Sequence, residues 1–290
     1  MAVDERYARM SRTAITRPQG AAQVAKHLVR HVAISAVAQL DRRSEPAFLR
    51  CLYLHYVFDD QREKFREIIS SLQKIGRFVT TEEATSMIEG RRAIDGRYFH
   101  LSFDDGFRNI YENAAPILHE LGVPAITFVP SRRIEIDYET ARHYCLETTR
   151  YPDVIETNTW DELAKLPELG VEVGSHTRTH ARLSQLDSAA AYEDEIAGSK
   201  QDLEEKLGRE CRYIAWPYGS FADADAASLA AVRAAGYRAC FGAFRGTIEA
   251  QRTNLFAIPR HHIKPEWPLG HIHYFARGNM ETGSGFTADL

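Results

Sequence analysis

Short apolar runs alternate with helical segments along most of this chain, and that alternation restricts its fold more than any other feature. The runs fall at 51–54, 78–80, 98–103, 125–129, 171–173, 213–215 and 239–241, each with the length of a buried strand. Between them apolar residues recur at helical spacing. Phe65, Ile68, Ile69, Leu72 and Ile75 run up to Gly76. Further helices are predicted over 110–121, 160–169, 189–207 and 226–235, each followed by a glycine (Gly122, Gly170, Gly208, Gly236). One more opens at Thr81, with Glu82 and Glu83 in its first turn. Strand, helix and strand joined by short connections predict parallel strands with crossover helices, an α/β layer or barrel. No linker or low-complexity break interrupts it. Residues 132–158 are predicted to be a surface excursion, and the glycine-rich stretch from Gly278 a mobile tail.

A chain of 290 residues with 44% hydrophobic and 26% charged residues has room for a large core. The net charge of −4 supplies no basic field, which argues against nucleic acid or an anionic membrane as partner. Cys51, Cys145, Cys211 and Cys240 lie far apart and read as isolated thiols of a reducing compartment. The most apolar early run, 32–40, is too short to span a bilayer. It follows scattered arginines without the layout of a secretion signal, so a cytoplasmic location is expected. The better reading is an amphipathic helix over 21–40, docked on the domain or mediating a homo-oligomer. The expected organisation is an N-terminal helical extension (1–45), a catalytic domain (46–270) and a tail (271–290).

In α/β folds, active sites gather at the carboxyl ends of the parallel strands. The motif LSFDDGF (101–107) puts two adjacent carboxylates, Asp104 and Asp105, at such an end, where they repel each other and resist desolvation. GSHTRTH (174–180) follows the 171–173 run and carries His176 and His180 four residues apart, so one helical turn would put both on one face. Two imidazoles and a carboxylate form a facial set that suits a catalytic divalent metal such as zinc. A DD pair at a strand end also serves as a helix cap, and an HxxxH pair as a surface arrangement. Their joint placement at strand ends of one domain favours function.

FDDG (103–106), with Ala115-Pro-Ile-Leu118 in the following helix, resembles the first motif of the polysaccharide deacetylases, the NodB-homology or carbohydrate esterase 4 family. HTRTH (176–180) resembles the second motif and AWPYG (215–219) the third. The resemblance covers roughly 51–263 and implies an irregular (β/α) barrel with fewer than eight repeats. It also implies a metal-dependent hydrolase that removes N-acetyl groups from an amino-sugar. By that resemblance Asp104 is the general base, Asp105, His176 and His180 hold zinc (or cobalt, nickel or manganese), and the Tyr218 backbone N–H helps hold the oxyanion.

Two positions depart from the family pattern. The arginine that opens the third motif is replaced by Ala215, and Arg260 is the candidate to pair with Asp104 in its place. The late leucine–x–histidine that supplies the general acid is also missing. LYLHY (52–56) instead places His55 before the first motif, which resembles the circularly shifted arrangement of the poly-N-acetylglucosamine deacetylases. His261 and His262 remain alternatives for an acid expected on the far side from the base. Asp59 and Asp60 are candidates to raise the pKa of His55. A small amide substrate and a degenerate member that binds glycans without catalysis are the competing functional readings.

Overall fold

The computed structural model describes residues 4–11, 34, 47–279 and 281. Eight parallel strands form its sheet: β1 (Phe48–Leu54), β2 (Arg77–Phe78), β3 (Arg97–Phe103), β4 (Ala125–Val129), β5 (Val171–Ser175), β6 (Tyr213–Ala215), β7 (Ala239–Phe241) and β8 (His261–His262). They run in the order β7-β6-β5-β4-β3-β1-β8, with β2 branching onto β3. Every pairing is parallel. Ile258 also bridges Phe241 of β7, three residues before β8 joins β1 at His261. The segment 258–263 therefore contacts both β7 and β1 and brings the sheet round into an irregular (β/α) barrel.

All seven residues of β1 are buried, as parallel strands covered on both faces require. Leu52 and Leu54 belong to the outer core, packed with Phe65, Ile68, Ile69 and Leu72 of the helix Arg62–Gln73. Leu49 and Cys51 face inward with Ile126, Phe128, Ala215 and Phe241. Tyr53 and His55 continue that inner face to the carboxyl end, where both line a cavity. The helix Thr81–Ile88, capped by the Thr80 hydroxyl on the Glu83 N–H, contributes Ala84, Met87 and Ile88 to the inner core. The four cysteines are free, buried thiols.

The strands and helices fall largely where the periodicity puts them, with four differences. The helices expected over 110–121 and 189–207 are interrupted by wide π-type turns, Ile110–Ala114 and Glu193–Ala197. The insert at 132–158 is not a surface excursion. It holds the helix Tyr138–His143 and a core of its own, in which Tyr144, Cys145, Val154 and Ile155 pack on Tyr56, Phe58 and Phe107. Residues 4–11 brace it: the Ala8 N–H donates to Val154 O (2.8 Å), and Tyr7 meets Tyr138 edge-on. β8 and the helix Leu269–Ala276 lack a legible pattern. The chain is also held beyond Gly278, since Asn279 is buried and Glu281 pairs with Arg50 at 2.8 Å.

Apart from residue 34, the helix expected over 21–40, and with it the homo-oligomer contact, lies outside the described residues, as does 282–290. Among the described residues no helix is long and apolar enough to cross a membrane.

Candidate functional site

At the carboxyl end of β3 the chain makes a tight turn that explains the paired aspartates. Asp105 has φ +75° and Gly106 φ +71°, two successive left-handed residues. The second is glycine because a Cβ there would press on the Val129 side chain, 3.2 Å away. The turn is pinned by buried Asn158, whose backbone and side-chain N–H groups donate to Gly106 O (3.0 and 2.9 Å). Asp104 still donates its N–H to Leu54 O, so it sits on the β1–β3 ladder while Asp105 swings away. Adjacent carboxylates thus reach different partners.

Asp104 meets Arg260, at the seam between β7 and β8. Arg260 Nη1 donates to Asp104 Oδ1 (2.7 Å) and Nη2 to Oδ2 (2.9 Å). Its other donors go to Ser102 Oγ (3.0 Å) and Gly242 O (2.7 Å), and the guanidinium lies over the Tyr53 ring. Arg260 is fully buried and makes four hydrogen bonds to protein, two of them to Asp104.

Asp105 meets the two histidines. His176 follows β5, and its Nδ1–H donates to Ala215 O (2.7 Å), which turns Nε2 inward as a lone-pair donor. His180 does not lie one helical turn beyond it. Residues 176–182 form a loop, and left-handed Thr177 (φ +62°) and His180 (φ +69°) bring the second imidazole back to the first. Glu195, in the π-type turn, holds this loop: its carboxylate accepts from the Arg178 N–H (3.1 Å), the Thr179 N–H (3.0 Å) and the Thr179 hydroxyl (2.6 Å). Arg178 makes a two-pronged pair with Asp202 (2.8 and 2.6 Å). The Nε2 atoms of His176 and His180 lie 3.6 and 3.2 Å from Asp105 Oδ1.

His55, just past β1, is half-buried and lines the same cavity, but on the strand end neighbouring that of Asp104 and not across the barrel. Asp59 and Asp60 do not act on it. Asp59 pairs with Arg9 (3.0 Å) and Asp60 accepts from the Ser11 hydroxyl (2.6 Å). Burial lowers the pKa of His55, and the carboxylates that oppose this are Asp105 and Asp104. Of the two alternatives, His262 stacks on Tyr53 (4.7 Å) and lies 4.9 Å from His55. His261 turns to the other side, 3.4 Å from Glu281. Tyr218 has φ +64° and is followed by left-handed Gly219, where a Cβ would collide with Ala243. Among the described residues no protein acceptor takes the Tyr218 backbone N–H.

These groups surround a cavity of about 120 Å³. Tyr53, Thr149 and Tyr151 also line it, and the motif reading missed all three. The only sequence signal toward Tyr151 is that the insert is rich in tyrosine, with Tyr138, Tyr144 and Tyr151. Asp105, His176 and His180 each offer a ligand atom, all within 4.8 Å of one another and all buried. Burial pushes the pKa of Asp105 up, but the close imidazoles of His176 and His180 outweigh it and hold the carboxyl well below its usual range. Burial lowers the pKa of His180, so its imidazole is disposed to be neutral. Its Nδ1 is buried without a partner. A carboxylate and two imidazoles so arranged fit a divalent cation of the zinc type.

The polysaccharide deacetylase family model matches residues 91–240, just over half of the chain. The Bacillus subtilis protein YxkH, named as a polysaccharide deacetylase, is 22% identical over 143 residues. The match takes in 49% of this chain and 44% of YxkH, so the chain spans less than half the length of that relative. Solved structures share the fold. IcaB from Ammonifex degensii superposes with a TM-score of 0.64 at 22% identity, over 80% of this chain and 98% of its own. The Streptococcus pyogenes deacetylase PplD, in complex with acetate, gives 0.63 at 18% (79% and 98%). The BpsB deacetylase domain of Bordetella bronchiseptica gives 0.62 at 18% (76% and 98%). With the match spanning the first two motifs and the third, the chain belongs to the polysaccharide deacetylase family.

Proposed function

We propose that this chain is a divalent-metal-dependent hydrolase that removes N-acetyl groups from an amino-sugar-containing carbohydrate, with residues 46–270 as its catalytic domain. The observation that carries the reading is convergence. A cation-ligand set (Asp105, His176, His180), a carboxylate fixed by arginine (Asp104) and an imidazole (His55) come from three strand ends to one cavity.

In this reading Asp104, oriented by Arg260, takes the proton of the attacking water. Asp105, His176 and His180 hold the cation, zinc by donor type, with cobalt, nickel or manganese able to substitute. When bound, the cation makes water acidic enough to attack at neutral pH and polarises the amide carbonyl. The Tyr218 N–H donates to the oxygen on which negative charge develops. His55 protonates the departing amine, which leaves poorly as an anion. Arg260 restores the partner that the third motif lacks at Ala215, which weighs against a degenerate glycan-binding member. The cavity suits an acetamido group with the sugar ring outside, and the acetate in the PplD structure supports acetyl as the group removed.

The test is metal content of the purified protein together with acetate release from chitooligosaccharides of increasing length and from monomeric N-acetylglucosamine. About one metal per chain and acetate from the oligomers support the reading. Release from the monomer alone points to a non-polymeric substrate, and metal without acetate from any of them ends the assignment.

A further inference from the structure

Tyr151 reaches the ligand set from the insert, outside every motif. Left-handed Arg150 (φ +58°) turns the chain, and the Tyr151 N–H donates to Cys145 O (2.7 Å). The ring is held edge-on against Phe107 (5.2 Å) and Tyr56 (6.1 Å). So placed, the phenol donates to Asp105 Oδ2 at 2.8 Å. The other oxygen, Oδ1, faces His176 Nε2 and His180 Nε2. The two oxygens of one carboxylate are thus divided between a phenol and the space between the imidazoles.

A carboxylate with both oxygens free binds a cation through one or both of them, and the outer partner decides which. We propose that Tyr151 is a positioning residue that commits Asp105 to hold the cation through Oδ1 alone, keeping the remaining coordination positions open to water and substrate. The inference rests on the metal-dependent reading above. It gives the insert a function: residues 4–11 brace the insert, the insert fixes Tyr151, and Tyr151 fixes the carboxylate.

The test is a Co(II) titration of metal-free full-length protein, read by affinity and by the visible d–d absorption, for the native chain, Tyr151→Phe and Tyr144→Phe. Both substitutions keep the ring. Tyr144 is the comparator because its ring also lies against His180 (5.7 Å) while its phenol reaches only the Asp105 backbone oxygen, at 3.4 Å. The expected result is roughly 10–100-fold weaker Co(II) binding by Tyr151→Phe, the usual cost of losing an outer-shell partner, with a changed absorption spectrum. Tyr144→Phe should overlay the native chain. Native affinity and spectrum in Tyr151→Phe overturn the proposal and leave the metal site standing. An equal change in Tyr144→Phe overturns it too, since the bond to Oδ2 is then not the cause. A native chain that takes up no Co(II) overturns both this inference and the metal-dependent reading.

Discussion

Replacing Arg260 with methionine removes every donor that Asp104 has from a side chain, at a site where the aspartate is 3% exposed. Methionine fills much of the stem volume, so the dominant loss is electrostatic. Ser102 Oγ keeps its bond to Leu52 O, and Gly242 O loses one donor. Breaking a buried pair by deleting one partner costs about 3–5 kcal/mol, because the remaining charge is left without compensation. With each kcal/mol worth about 2–4 °C in a domain of 150–250 residues, a fall in Tm on the order of 10 °C follows. The same logic predicts rescue: Asp104→Asn in the Arg260→Met background removes the stranded charge and should recover stability. The coupling between the two positions should then reach about 1–3 kcal/mol. The assay is thermal and urea unfolding of the native chain, both single variants and the double, all stripped of metal so that no cation substitutes for the guanidinium. Arg260→Met within about 0.5 kcal/mol of the native chain, the range of an ordinary surface change, would refute the reasoning. So would a double variant whose loss equals the sum of the two singles.

The neighbouring aspartates should separate cleanly. Asp104→Asn should bind metal and lose roughly 10²–10⁴-fold in turnover, while Asp105→Asn should lose metal affinity; the reverse pattern in parallel metal and rate measurements contradicts the roles assigned. His55→Ala should retain metal, lose turnover and lose the basic limb of the pH–rate profile, because activity falls with rising pH as the acid gives up its proton. His261→Ala, assayed beside it, should keep that limb, and loss of the limb only in His261→Ala places the acid elsewhere. Glu195→Ala removes the acceptor for three loop donors, so metal binding should weaken through disorder of the 176–180 loop. Native metal affinity in that variant would show that the loop holds its shape alone.

Much of the barrel is legible because its strands and helices are short, local and punctuated by glycine. Gly170 and Gly208 end their helices in left-handed geometry, and Thr80 starts one with a side-chain cap. The convergence of Asp104, Asp105, His176 and His180 is legible from their placement at strand ends. The path that joins the two histidines is not, because a four-residue spacing reads as a helical turn. The structure uses left-handed Thr177 and His180, residue types that do not advertise such a backbone. Arg260 is nominated in the sequence by a gap elsewhere, at Ala215, whereas its four hydrogen bonds depend on a barrel seam that no local pattern encodes. Tyr151 and Glu195 stay hidden for the same reason. Each acts on residues 16 or more positions away, Tyr151 on Asp105 and Glu195 on Arg178 and Thr179.

The most direct test of the metal-dependent site is anomalous diffraction at the zinc edge from crystals grown with zinc. The account predicts one strong peak per chain, about 2.0–2.2 Å from a carboxylate oxygen of Asp105 and from a ring nitrogen of His176 and of His180. A map with no peak between these three residues, or with zinc held by other side chains, contradicts it.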